Sequence, residues 1–380
     1  MKWSFRVARV AGIDVNVHAT FGLIVALGAF QWSAHHGGRG ALFGVALTLA
    51  LFACVAMHEL GHSLVARRFG LAVREIVLLP IGGVAMLTGR PKKPLHELLI
   101  ALAGPAVNVV LAAVLLIVSA SFGLLSGLPA IGPDAVPSLG TAVVWLLGAN
   151  VALAVFNMIP ALPLDGGRVL RAGLAMAIGP ARATAAAASI GQAIAVLLFA
   201  GAVLSGHLVL ALISVFVFLG ATQERTAERA TSILGGVPVG RAYNRRAIVL
   251  SPCDRVSDAA EHILTTYQTD FAVLLDAAPI GVLTRADVVR ALAGGGGNAY
   301  VAGIMRRDVV RVDADRSLDE VLRLMSEKNT PVVAVYDGER YLGLVSQDDI
   351  AEALTLLQFL PTSTRHGTAS PAARRAEDMM

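Results

Sequence analysis

The sequence predicts a polytopic α-helical membrane protein of about six transmembrane helices followed by a cytosolic α/β module. Three observations carry this prediction. Residues 1–222 are apolar with scattered arginines, whereas 223–360 are rich in Asp, Glu and Arg. Six apolar stretches can be drawn in the first part, at about 18–32, 41–66, 97–122, 140–160, 183–204 and 207–222. The second part contains an internal repeat. Over the whole chain 56 % of residues are apolar and 15 % charged, against ~25 % charged in ordinary soluble domains, and the mean hydropathy is +0.68.

Lysine and arginine assign an orientation to these spans, because short cytoplasmic loops collect positive charge. Lys2, Arg6 and Arg9 precede span one, and Arg67, Arg68, Arg74, Arg90, Lys92 and Lys93 follow span two. Arg168, Arg171 and Arg182 follow span four, and the opposite loops hold only Arg39. Both termini are therefore expected in the cytosol, with the chain in the inner (cytoplasmic) membrane. Met1 to Val17 lacks the apolar core and cleavage site of a signal peptide. The net charge of +4 comes with no basic patch interleaved with aromatics, so no direct nucleic-acid partner is expected. Cys54 and Cys253 lie in different parts of the chain and suggest no disulfide.

Span two ends in Met57-His58-Glu59-Leu60-Gly61-His62, an H-E-x-x-H motif after an uncharged run from Ala41 to Met57. On a helix His58 and His62 stand one turn apart on one face and can share a metal ion, with Glu59 beside them as a proton acceptor. Ionisable residues inside a membrane are costly and mark function. His58 lies nine residues, ~13 Å at the helical rise, from Arg67 at the cytosolic end of the span, so the site is expected to be buried but nearer the cytosol. A catalytic zinc takes three protein ligands. The best third candidate is Asp165, in Asn157-x-x-Pro160-x-x-Pro163-Leu164-Asp165-Gly166-Gly167, where prolines break the helix and paired glycines admit close backbone approach. Cys54, one turn before His58, can reach the metal or serve as a small buried thiol. His18, His35, His36 and His96 have no partner at metal spacing.

His58-Glu59-x-x-His62 on a second span and N-x-x-P-x-x-P-L-D-G-G after a fourth resemble the site-2 protease family of intramembrane zinc metalloproteases. Phe5 to Phe21 is similar to that family's amphipathic entry, Leu79-Pro80-Ile81-Gly82-Gly83-Val84 to its membrane-embedded β-loop, and Ala103-Gly104-Pro105-Ala106-Val107-Asn108 to its third-span motif. The resemblance implies one zinc ion held by His58, His62 and Asp165, with Glu59 as general base. It also implies that Asn108 and Asn157 position the substrate or the developing oxyanion, although an Asn in a membrane span can simply hydrogen-bond between helices. A substrate helix must unwind before its carbonyl is reachable, and the loop around Gly82 and Gly83 then either offers a strand edge or is only a turn.

In the soluble half, Gly281-Val-Leu-Thr284-Arg-Ala-Asp287 recurs as Gly343-Leu-Val-Ser346-Gln-Asp-Asp349, and Asp254-Arg255 as Asp315-Arg316. Each copy reads as a strand, a helix (Val256 to Tyr267; Ser317 to Lys328), two strands and a closing helix. This resembles a tandem pair of cystathionine β-synthase-like (CBS) domains. The resemblance implicates Thr284, Asp287, Ser346 and Asp349 in holding the ribose of ATP, ADP or AMP across one cleft. The same residues can instead cap the closing helices, and such pairs can serve for dimerisation alone. The expected organisation is a protease domain at 1–222, a linker at 223–236, CBS repeats at 237–293 and 301–360 around a flexible joint at 294–300, and a disordered tail at 361–380.

The expected function is an intramembrane zinc endopeptidase acting on a single-pass membrane protein, such as a membrane-bound regulator or anti-sigma factor, within the lipid. The CBS pair regulates it or joins it into a homodimer. The alternative of another class is a CBS-gated transporter or channel with H-E-L-G-H as an ion site. Such a site has no need of a general base between two histidines one turn apart, and no inverted repeat is visible.

Overall fold

The computed structural model describes residues 3–80, 82–87, 89, 91, 93–124, 134–244, 247–266, 268–276 and 278–359. Ile81 of the glycine loop, Arg90 and Lys92 of the cationic segment, Tyr267 and the tail at 361–380 lie outside the described residues. The chain divides into two compact units, Met1–Glu228 and Arg229–Met380.

In the first unit, strands β1 (Ser4–Val10) and β2 (Ile13–His18) form a hairpin, so the amphipathic entry is largely extended chain. β2 pairs in parallel with β3 (Val73–Leu79), which turns back into β4 (Gly82–Leu87), giving the sheet order β1-β2-β3-β4. A parallel pair requires a long crossover. Helix α1 (Phe21–Arg68) supplies it. At Gly37, φ is 59° and the helix bends into two arms that cover the stretches read as spans one and two. The arms pack against each other through Trp32 on Phe43 (ring centroids 4.6 Å) and Phe21 on Phe52 (4.7 Å). Ile13, Val15, Ile76 and Leu78 bury the sheet against Phe21 and Phe52.

Helices α2 (Pro94–Ser121), α3 (Leu139–Asn157), α4 (Asp165–Ile178), α5 (Pro180–Ser205) and α6 (Leu208–Gly235) follow. Among the described residues α1, α2, α3, α5 and α6 are long and apolar enough to cross a membrane. The chain is a polytopic α-helical membrane protein. Residues 223–235, read as part of a linker, are helical as the end of α6.

The second unit builds its repeat on two three-stranded sheets. The first holds β5 (Val249–Leu250), β6 (Asp270–Leu275) and β7 (Ala278–Thr284), with α7 (Val256–Thr265) and α8 (Arg285–Ala293). After a short α9 (Val301–Ile304), the second holds β8 (Arg311–Asp313), β9 (Val332–Asp337) and β10 (Arg340–Ser346), with α10 (Leu318–Lys328) and α11 (Gln347–Leu357). Ala272 and Val282 of one sheet pack on Val332, Ala334 and Leu344 of the other.

Two expectations about this unit need correction. The repeats exchange their leading segments: Leu234, Val237 and Val239 enter the core of the second copy, and Val301 enters that of the first. The boundaries at 237–293 and 301–360 therefore separate sequence copies but not packed cores. Residues 294–300 are also no free joint. Gly295 takes φ of 75°, the Gly296 N–H closes on the Ala291 carbonyl at 2.9 Å, and Arg255 stacks over Tyr300 at 4.8 Å. The glycines supply the left-handed turn that ends α8.

Candidate metal centre

The site is assembled on the second arm of α1. His58 and His62 are 6 % and 5 % exposed, and their Nε2 atoms stand 3.1 Å apart. Asp165, the first residue of α4, brings its Oδ2 to 3.2 Å from His58 Nε2 and 3.1 Å from His62 Nε2. Among the described residues this is the one group of three such side chains close enough to share an ion. Arg168 Nη1 lies 3.6 Å from the other carboxylate oxygen, Oδ1.

Hydrogen bonds fix which ring nitrogen faces the centre. Asn150 donates its Nδ2 to the Leu146 carbonyl at 2.9 Å and to Cys54 Sγ at 3.4 Å, which turns its Oδ1 toward Asn108. Asn108 Nδ2 donates to that oxygen at 2.9 Å, and its own Oδ1 accepts from His58 Nδ1 at 2.5 Å. His62 Nδ1 donates to the Ile100 carbonyl at 2.7 Å. Both protons are thus held on Nδ1, and both Nε2 lone pairs point at the Asp165 carboxylate. Three electron-pair donors this close, with no proton between them, repel unless a cation sits among them. Their 3.1–3.2 Å separations match the edge of a tetrahedron, about 3.3 Å for ligands at ~2.0–2.1 Å from zinc. The donor set of two neutral imidazoles and a carboxylate fits zinc.

Glycines allow this convergence. A Cβ on Gly104 would collide with the His62 ring, so α2 can approach the histidines only through glycine. Cβ atoms on Gly166 and Gly167 would strike the backbone at Met158 and at Ala161–Leu162, which is why a paired glycine follows Asp165. Glu59 is half-buried, and a Cβ on Gly83 would lie 2.5 Å from its Cγ, so the backbone of β4 runs directly beside the carboxylate. Gly82 has φ of 138°, a glycine conformation, where the hairpin enters β4.

The sequence-predicted residues therefore divide. His58, His62, Asp165, Glu59 and Gly83 come together, and Asn108 joins them through the His58 ring. Asn157, at the end of α3, is half-buried and outside that hydrogen-bond chain. Cys54 meets Asn150 instead of the metal cluster. His18 bonds Thr20 Oγ1 at 2.7 Å at the start of α1, and His96 stacks on Phe69. Two features were missed. Asn150, the residue that orients Asn108, was marked by an amide seven residues before Asn157 in an apolar span. Arg171, 8 % exposed, pairs with Glu97 and with Glu224.

Far from this centre in sequence, Thr284 and Ser346 N-cap α8 and α11 in capping boxes with Asp287 and Asp349. The two pairs differ in their surroundings. Asp287 is 5 % exposed and is held by Arg306 at 2.9 and 3.1 Å and by Arg290 at 3.0 Å. Ser346 and Asp349 instead line a cavity of about 430 Å³ with Thr266, Gln268, Asp270 and Asp348.

Fold and metal centre together define a membrane-embedded zinc metalloprotease, and comparison with known proteins gives its family. The model of peptidase family M50 matches residues 46–128 and 123–198, and the CBS domain model matches 301–356. A zinc metalloprotease of Methanocaldococcus jannaschii is 32 % identical over 360 residues, 94 % of this chain and 98 % of that protein. A Mycobacterium tuberculosis protein bearing the name zinc metalloprotease Rip3 is 29 % identical over 403 residues, the full length of both. The solved site-2 protease of M. jannaschii is 38 % identical and covers 59 % of this chain and 95 % of that one, with a TM-score of 0.44. The chain belongs to peptidase family M50, the site-2 proteases, and carries a CBS module.

Proposed function

We propose that the protein is an endopeptidase that hydrolyses a peptide bond in or near the transmembrane segment of a single-pass protein, such as a membrane-bound regulator or anti-sigma factor. The observation that carries this reading is the convergence of three buried donor atoms beside a carboxylate that abuts an edge strand. His58, His62 and Asp165 would hold the zinc ion, which when bound supplies an acidified water and a polarising charge. Glu59 takes the proton of the attacking water and returns it to the leaving amine. An unwound substrate segment pairs with the edge of β4 at Gly82 and Gly83, which brings its carbonyl alongside Glu59. Asn108 acts through His58, holding the proton on Nδ1, and Asn157 remains a candidate contact for the substrate.

In this reading the protein works in the inner membrane with both termini in the cytosol. The CBS pair joins two copies or senses an adenine nucleotide in the cleft at Ser346 and Asp349.

The decisive experiment compares Glu59→Gln and Asp165→Ala with the parent chain in detergent. Glu59→Gln keeps size and hydrogen bonding, so cleavage should fall by roughly 10²–10⁴-fold while zinc content stays at one per chain. Asp165→Ala should lose zinc as well. Cleavage unchanged by Glu59→Gln would refute the mechanism, and full zinc with retained activity in Asp165→Ala would assign the third ligand elsewhere. The single-pass protein that accumulates in cells carrying Glu59→Gln is the expected substrate.

A further inference from the structure

We infer that Arg171 is a positioning residue for the metal centre: by bridging Glu97 and Glu224 it holds α4 in the register that sets Asp165 against His58 and His62. The inference rests on the reading of those three residues as zinc ligands. Arg171 is 8 % exposed inside a membrane protein, where a buried cation is costly unless paired. Its partners come from two other helices. Nη2 meets Glu97 Oε1 on the first turn of α2, and Nη1 meets Glu224 Oε2 on α6 at 3.2 Å.

The placement of these contacts is what gives them a role. Asp165 is the first residue of α4 and Arg171 lies six residues on, ~9 Å along the axis, so a shift of the helix moves the carboxylate directly. Glu97 lies one turn before Ile100, whose carbonyl fixes His62, and α2 also carries Asn108, which fixes His58. The Arg171–Glu97 pair thus joins the helix of the carboxylate ligand to the helix that orients both imidazoles. Three sides of the centre are referenced to one guanidinium. A lysine has no planar fork with which to span two carboxylates on separate helices.

The test measures zinc affinity of the full chain in detergent by chelator competition, together with the visible spectrum of the cobalt(II)-substituted protein, for Arg171→Gln, Arg171→Lys, Glu97→Gln and the double variant Arg171→Gln/Glu97→Gln. Loss of a group that orients a metal ligand typically costs 10- to 100-fold in affinity, so roughly tenfold weaker zinc binding is expected for Arg171→Gln and Glu97→Gln. The double variant should be no worse than either, and Arg171→Lys should not restore affinity. The cobalt absorption should weaken severalfold as Asp165 leaves the four-coordinate arrangement. If Arg171→Gln does not fold, Glu97→Gln, which leaves the Arg171–Glu224 pair, carries the test. Parent affinity and an unaltered cobalt spectrum in folded Glu97→Gln or Arg171→Gln would overturn the inference alone. A parent chain that binds neither ion would overturn the metal reading and the inference with it.

Discussion

At the scale of single residues, the chemistry of His58 is decided two side chains away. Its Nδ1 faces Asn108, and Asn108 presents oxygen instead of nitrogen because Asn150 accepts from the other end of the amide. Asn150 is in turn oriented by the Leu146 carbonyl. Removing Asn150 leaves a buried Asn108 donor unpaired and frees the amide to turn its NH₂ toward His58, which favours the wrong tautomer. Asn150→Ala should therefore weaken zinc binding by roughly tenfold although it touches no ligand, and Asn108→Ala should do so at least as strongly. Chelator competition on the detergent-purified chain checks the order. Parent affinity in Asn150→Ala would mean that Asn108 keeps its oxygen toward His58 without Asn150.

At the scale of elements, residues recruited by the CBS resemblance prove to have structural duties. Thr284 and Ser346 accept from the N–H groups of Asp287 and Asp349 and start α8 and α11. The first copy has Asp270 opposite Thr284 where the second has Val332 opposite Ser346, and this carboxyl sits at the start of β6 beside Asp348 and Asp349. Burial, reinforced by those two carboxylates, pushes its pKa above the usual carboxylate range. A folded pKa above the unfolded one means that the native state holds the proton more tightly. Stability from this group is then full below the unfolded value, ~4, and is lost as pH rises through the folded value. Asp270→Asn should raise the Tm of the CBS unit at pH 7, and the gain should vanish as the pH is lowered toward 4. Thermal unfolding of the two chains at both pH values measures it, and a lower Tm for Asp270→Asn at pH 7 would contradict the sign.

At the scale of the whole molecule, the question is whether the CBS module speaks to the protease. Ser346 and Asp349 line an open cleft, whereas Arg306 and Arg290 occupy the Asp287 carboxylate. If AMP, ADP or ATP binds there, the full chain should gain about 2.7 kcal/mol at a hundredfold excess over the dissociation constant. Asp349→Asn should abolish that gain and Asp287→Asn should not. For control of proteolysis the nucleotide must also bind one arrangement of the protein more tightly than another, since equal affinity shifts no equilibrium. Calorimetry with no heat at millimolar nucleotide would leave the module to dimerisation, and binding without a change in cleavage rate would reject the regulatory link.

The spans, the H-E-x-x-H pair, the third candidate at Asp165 and the repeat were legible in the sequence because each is written in local spacing. A hydrophobic run, one helical turn between histidines, or a proline-glycine turn imposes its geometry on neighbouring residues whatever the rest of the chain does. What the sequence could not specify was assigned by contacts between residues far apart in the chain. The pairing of Asn108 with Asn150 and the grip of Arg171 on Glu97 and Glu224 join residues 42 or more positions apart, and the exchange of leading segments carries Leu234, Val237 and Val239 past the whole first copy into the core of the second. A side chain's hydrogen-bond partner, and whether a cleft near it is open or sealed by an arginine, depends on which helices the packed core brings together. That is why Asp287 and Asp349, identical in motif, end in different surroundings: the tertiary structure places Arg306 beside one and a cavity beside the other.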